Sequence, residues 1–288
     1  MRSPHALALV LLATLAAAAP AQADSAAGAP PEQGSLLANV YTMTAAEYDA
    51  CCMTIYRAAT YSLEEIMEEM LEEGGSAPLR PAVVLDLDQT VLDVTSFQTF
   101  VYENECSYTP ALWSVYEQVG VEEVLLVPGA KEFIGRAEEL GVSVVYLSNR
   151  NAANQEHTIA VLARLGLNVE GIEDRIALKP TAASSDKSPR RDAISARYNV
   201  LMIFGDNLRD FSEVFKPVRL GDDAAADDYL AAIGERADAV DDAACHWGVD
   251  WFMLPNCMYG EWQKHIPDNP VDIMTPTEMT KEDAERDR

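Results

Sequence analysis

From residue 82 onward the chain alternates short, continuous apolar runs with stretches of helical periodicity, and few architectures accept that rhythm. Residues 82–87, 142–147, 175–178 and 200–204 read as strands, with shorter apolar pieces at 217–220 and 248–253; helices are predicted at 130–140, 153–165, 189–198 and 225–237. Strands without a polar alternate face are buried on both sides, so helices must cover both faces of a parallel sheet. The expected fold class is therefore α/β, a doubly wound parallel sheet. In such a sheet a ligand sits beyond the carboxyl ends of the strands.

Upstream, Thr44-Ala45-Ala46-Glu47 has the form of a capping box, and Tyr48, Cys52, Ile55, Ala59, Leu63, Ile66 and Met70 follow at helical spacing until Gly74-Gly75. Residues 24–40, rich in Ala, Pro, Gly and Ser, are expected to be flexible. The first 23 residues combine Arg2, an apolar run over 6–19 and Ala21-Gln22-Ala23, the pattern of a cleaved signal peptide, which predicts a periplasmic or secreted protein. That run is shorter than the roughly 20 residues of a spanning helix, and no later run replaces it. The folded domain is placed at 41–265, with an acidic tail at 266–288. A chain of 288 residues that is 49% hydrophobic can bury one large core and carry a small appendage.

A formal charge of −26 excludes nucleic-acid polymers as partners, because they require a basic stripe that releases counterions. It also means that an anionic ligand must find local positive charge, which a divalent cation can supply. Zinc is disfavoured, since no CxxC pair is present and the four His are scattered. The five Cys residues allow up to two disulfides with one thiol left over. The sequence leaves association with a second copy, as a homo-oligomer, open.

The strand ends concentrate the chemistry. The first is followed by Asp86-Leu87-Asp88-Gln89-Thr90, two carboxylates that would repel each other unless a cation compensates, although an Asx-rich turn has the same composition. The second strand ends in Leu147-Ser148-Asn149-Arg150, where a hydroxyl could donate to a phosphate oxygen and Arg150 either contacts substrate or is a surface charge. Lys187 precedes a helix whose N-cap is predicted to be Ser188 and whose first residue is Pro189; a cation there calls for an anion between it and the helix dipole. Lys179 is the less favoured lysine. The fourth strand leads into Gly205-Asp206-Asn207-Leu208-Arg209-Asp210.

The order carboxylate pair, hydroxyl, lysine, carboxylate pair resembles the motifs of the haloacid dehalogenase (HAD) superfamily. More closely the chain is similar to the class C bacterial acid phosphatases, through residues 86–93, the Pro128-Gly129-Ala130 turn, residues 147–150, 186–188 and 205–211, and residues 254–262 with Tyr259. The resemblance spans about residues 40–265 and implies an exported, Mg²⁺-dependent acid phosphatase acting on small phosphate monoesters, with nucleoside monophosphates the favoured class. It implies that Asp86 attacks phosphorus to form an aspartyl-phosphate and that Asp88 protonates the leaving alkoxide and later activates water. Asp86, the Asp88 carbonyl and Asp206 would hold Mg²⁺, with Asp210 binding it directly or through water. Ser148, Asn149 and Lys187 would line the phosphate, and Thr90 would support the loop. Residues 94–127 would form a small helical cap whose aromatics, with Trp113, Tyr116 and Tyr259 as candidates, flank a nucleobase or simply pack the lid. The chain has Gln89 where class C relatives usually have Glu, Val94-Thr95-Ser96 where they have Asn-Ser-Pro, and no Cys close behind the leader for a lipid anchor. Phosphoryl transfer to an acceptor other than water, and an exported phosphate-ligand binder without turnover, are the competing functions.

Overall fold

The computed structural model describes residues 33–72, 74, 79–181 and 183–274; the leader, residues 24–32, Gly75 and the tail beyond 274 lie outside the described residues. Five strands, β1 (Arg80–Leu85), β4 (Ser143–Asn151), β5 (Ile176–Lys179), β6 (Tyr198–Gly205) and β7 (Trp251–Met253), form one parallel sheet in the order β5-β4-β1-β6-β7. The alternation of β1 side chains explains why both faces must be covered. Val83 and Leu85 enter the larger core with Tyr56, Phe133, Phe204 and Phe252, whereas Ala82 and Val84 enter a smaller one with Val145, Leu147, Ile194 and Tyr198. The larger core is closed by helices α2 (Ala46–Glu72), α5 (Ala130–Glu139) and α6 (Gln155–Arg164), and the smaller by α7 (Ser188–Ser195). Phe204 stacks between Tyr56 (5.6 Å) and Phe252 (5.1 Å) and meets Phe133 at 4.6 Å, which ties α2, α5 and β7 to the centre of the sheet. Gly129, with φ +88°, starts α5 so close to α2 that a Cβ would lie 3.2 Å from the Met53 Cα.

The cap lies between β1 and α5. It consists of α3 (Thr95–Glu103) and α4 (Pro110–Val119) above a two-stranded antiparallel ribbon, β2 (Leu92–Asp93) with β3 (Leu125–Leu126). Thr109 caps α4 by accepting from the Leu112 N–H at 3.0 Å, with Pro110 at its first position.

Several expectations are corrected. Thr44 is not an N-cap: its hydroxyl donates back to the Val40 carbonyl at 2.7 Å and it closes a separate helix, α1 (Gln33–Thr44), so residues 33–40 of the segment expected to be flexible are helical. The piece at 217–220 is not a strand; β7 takes the place beside β6, and the Val218 carbonyl accepts from His265 at 3.2 Å. The piece at 248–253 shortens to β7, because residues 246–251 form a turn on the His246 carbonyl with Gly248 at φ +76°. Pro270–Ile273, at the start of the expected tail, packs against α8 (Ala226–Asp242). All five cysteines are free thiols. Among the described residues no helix is long and apolar enough to cross a membrane.

Candidate active site

Beyond β1 the backbone stays in the ladder for one more residue, as Asp86 N–H donates to the Phe204 carbonyl at 3.0 Å, and then turns sharply. The Leu87 carbonyl accepts from the N–H groups of Thr90, Val91 and Leu92, a turn that places Gln89 in the left-handed region at φ 56°. That conformation is costly for a residue with a Cβ. It is held by the buried carboxamide, whose oxygen accepts the Val94 N–H at 2.7 Å, and by the Gln89 N–H on the Leu92 carbonyl. Thr90 is fully buried and its carbonyl accepts the Tyr56 hydroxyl of α2 at 2.7 Å, so it braces the loop from behind. Asp86 and Asp88 thus leave a rigid turn.

The lysine reaches this turn from α7. Lys187 is buried, and its Nζ lies 2.5 Å from Asp86 Oδ1 and 2.7 Å from Asp210 Oδ1. Burial opposes its charge, but Asp210 and Asp86 outweigh that and hold its pKa above the ordinary lysine value. Ser188 is not the cap of α7. The Asp186 carboxylate accepts the Ser188 N–H at 2.7 Å, which lowers the Asp186 pKa and leaves Lys187 at the N-cap position, aimed inward. Lys179 instead ends β5, paired with Asn151.

After β6, Asp210 folds back over Gly205, where a Cβ would collide with the Asp210 Cβ and Oδ2; only glycine permits that approach. Asp210 Oδ2 accepts the Asn207 N–H at 3.0 Å while the Asn207 side chain accepts the Arg209 N–H at 3.1 Å. Asp206 Oδ2 accepts from Asn256 Nδ2 at 2.7 Å, and Asn256 is itself oriented by the Met258 N–H at 2.9 Å. Asp86, Asp206 and Asp210 each bring an oxygen within 4.8 Å of the others. Burial, then Asp210 and Asp88, push Asp86 up to about 7 against the pull of Lys187. Burial, Asp210 and Asp86 likewise raise Asp206 well above the usual carboxylate range. Three carboxylates against one ammonium leave an excess of negative charge, and an all-oxygen donor set of this kind fits a hard divalent cation.

β4 runs four residues further than expected, and between Leu147 and Asn151 its register against β5 breaks: four steps on β4 match two on β5. Such a bulge re-aims side chains beside a site. It contains Ser148, buried, with Oγ accepting the Arg150 N–H at 3.2 Å and its hydroxyl proton left to donate. Arg190 of α7 fixes this segment through the Ser148 carbonyl (2.6 Å) and the Asn149 side-chain oxygen (2.6 Å), while Asn149 Nδ2 donates to the Ser185 carbonyl at 3.1 Å. Arg191 donates to the Asp210 carbonyl at 2.6 Å. Arg150 is neither exposed nor free: it is 1% exposed and ion-paired to Asp88.

In the cap, Trp113 is half-buried, edge-on to Phe97 at 4.9 Å and tilted against Tyr116 at 5.3 Å, with the Arg150 guanidinium 5.8 Å from its ring centre. Tyr116 is buried, its hydroxyl within 2.7 Å of Ser96 Oγ and its ring against Gly120, so it packs the lid. Tyr259 lies at the site: burial, then Asp206, Asp88 and Asp86, raise its phenol well above the usual range.

Sequence reasoning gave no role to Asn256, Arg190 or Arg191. In a chain with 21 basic residues and a net charge of −26, a lysine and two arginines within residues 187–191 were a signal that this segment faces carboxylates or an anion.

The family model described as HAD superfamily, subfamily IIIB (acid phosphatase) matches residues 6–262. Two solved structures of the class C acid phosphatase from Bacillus anthracis are similar to the chain, one of them with tungstate bound. Each is 28% identical and covers 88% of this chain and 93% of its own, with TM-scores of 0.66 and 0.65. With the carboxylates of two strand ends and a buried lysine converging beyond the sheet, the chain belongs to the subfamily IIIB acid phosphatases of the HAD superfamily and is a phosphomonoester hydrolase.

Proposed function

We propose that this chain is an exported, Mg²⁺-dependent phosphatase that cleaves small phosphate monoesters through an aspartyl-phosphate on Asp86, with nucleoside monophosphates as its preferred class. The observation that carries the reading is the position of Asp86, at the rigid end of the central strand, with Oδ1 held by Lys187 and Asp206 and Asp210 beside it. A cation at Asp86, Asp206, Asp210 and the Asp88 carbonyl would supply Lewis-acid stabilisation of charge on the phosphoryl oxygens. Asp86 supplies the attacking oxygen, Lys187 and Ser148 donate to the phosphoryl group, and Asp88 delivers a proton to the leaving oxygen and later takes one from water. Nucleoside monophosphates are favoured because two half-buried aromatics, Trp113 beside Arg150 and Tyr259 near Asp206, offer aromatic surface to a base.

Phosphate release from a panel of monoesters, with EDTA and with Mg²⁺ restored, tests the reading. Activity is expected to disappear in chelator and return with Mg²⁺, and nucleoside monophosphates should exceed glycerol phosphate in kcat/KM. Equal rates on both esters would remove the nucleotide preference, and activity in excess chelator would remove the metal. An added alcohol that captures most of the phosphoryl group would make the chain a transferase instead.

A further inference from the structure

Among the described residues, Arg150 is a buried cation to which the proposed reaction gives no task. Arg150 emerges from the bulge in β4, and its Nε and Nη2 both donate to the same oxygen of Asp88, Oδ1, at 2.8 and 2.7 Å. Its guanidinium lies over Trp113 of the cap, 5.8 Å from the ring centre. Burial works against its charge and Asp88 more than compensates; the buried Glu117, anchored by the Asn151 N–H at 2.9 Å, adds a second favourable charge. Two N–H groups of one rigid guanidinium fix where Asp88 Oδ1 sits and so select the side-chain rotamer, more tightly than an ammonium with its rotatable donors.

We infer that Arg150 is a positioning residue that turns Asp88 so that Oδ2 faces the leaving-group oxygen, and that it links this orientation to the cap through Trp113. The inference rests on the reading of Asp88 as the proton donor. With Oδ1 accepting two N–H groups, Oδ2 is the oxygen left to carry a transferable proton. As the bond from phosphorus to the ester oxygen breaks and the bond to Asp86 forms, that proton passes to the departing alkoxide, and the resulting carboxylate stays paired with Arg150.

The test compares kcat/KM, which reports the chemistry up to the first irreversible step, for p-nitrophenyl phosphate and for glycerol phosphate. The nitrophenolate leaves without help, while the alkoxide needs the proton. Arg150→Lys keeps the charge and loses the fork. It is expected to lower kcat/KM on glycerol phosphate by about 10²-fold, the usual cost of a small misplacement of a reacting group, and on p-nitrophenyl phosphate only several-fold. Asp88→Asn measured alongside should show the same selectivity, and Arg150→Lys added to it should not deepen that selectivity. Equal losses on both esters in Arg150→Lys, with Asp88→Asn still selective, overturn the positioning role alone. An unselective Asp88→Asn overturns the proton-donor reading and the inference with it. If Arg150→Lys does not fold, Arg150→Gln, which offers one neutral N–H to the same oxygen, is expected to show the same selectivity, and its absence counts equally against the role.

Discussion

Burial and Lys187 act on Asp86 in opposite directions, and burial wins, so the carboxyl proposed to attack phosphorus is held at about 7. On the proposed mechanism Asp86→Asn is expected to abolish turnover outright, since it would remove the nucleophile and a metal donor together. Asp88→Asn should cost ~10²–10⁴ in rate on glycerol phosphate, the usual worth of general acid-base catalysis; a rate on that ester within a few-fold of the parent would take that role from Asp88. Gly205 is tested differently. Gly205→Ala drives a methyl into Asp210, which is expected to cost about 1–3 kcal/mol in urea unfolding, as overpacking does. A stable, fully active variant would show that Asp210 has room to move. Asp86, Asp88 and Asp206 stood out in the sequence because each closely follows an apolar run, whereas Lys187 stood out by its place just before a helix. Asn256 was not legible, because an amide in a loop looks the same whether it holds Asp206 or only its own turn.

At the scale of elements, strands β1, β4, β5 and β6 were readable from hydrophobic runs, and the misplacements have local causes. Thr44 satisfies a carbonyl of the helix behind it, an option open to Ser and Thr that a capping pattern cannot exclude. The extension of β4 through Ser148-Asn149-Arg150 was missed because polar residues of this kind favour turns; here α7 and β5 supply the partners that keep them extended. The bulge is thus a tertiary product. The loop after β7 makes a similar contribution from the far side, since Asn256 lies just beyond Leu254, whose N–H bonds to the Gly205 carbonyl at 2.8 Å. Asn256→Ala should leave catalysis qualitatively intact at saturating metal but weaken Mg²⁺ binding by about 10–100-fold, the usual effect of removing a partner of a metal ligand. Titration calorimetry with Mg²⁺ checks it, and an unchanged affinity would show that Asp206 needs no such support.

The whole molecule joins these pieces through charge. A chain at −26 opposes the approach of an anionic ester, so raising salt should raise kcat/KM at low ionic strength, as the screening length falls from ~30 Å at 10 mM to ~8 Å at 150 mM. Within the fold the same imbalance sets a linkage between protons and metal. Asp86 is raised from its ordinary value of 3.8 to about 7, and Asp206 is raised in the same direction, so between about 4 and about 7 Asp86 in the folded chain retains a proton that the unfolded chain has released. Without a divalent cation, stability contributed by these neutral carboxyls is full below that window and declines as pH rises through it. A cation bound at these carboxyls would displace those protons, and near pH 7 fewer would remain to be displaced. Mg²⁺ should therefore raise the melting temperature more at about pH 7 than at about pH 5, measured against EDTA at each pH. Equal shifts at both values would mean that the cation does not bind where the raised carboxyls are, and would separate metal binding from the cluster at the end of β1 and β6.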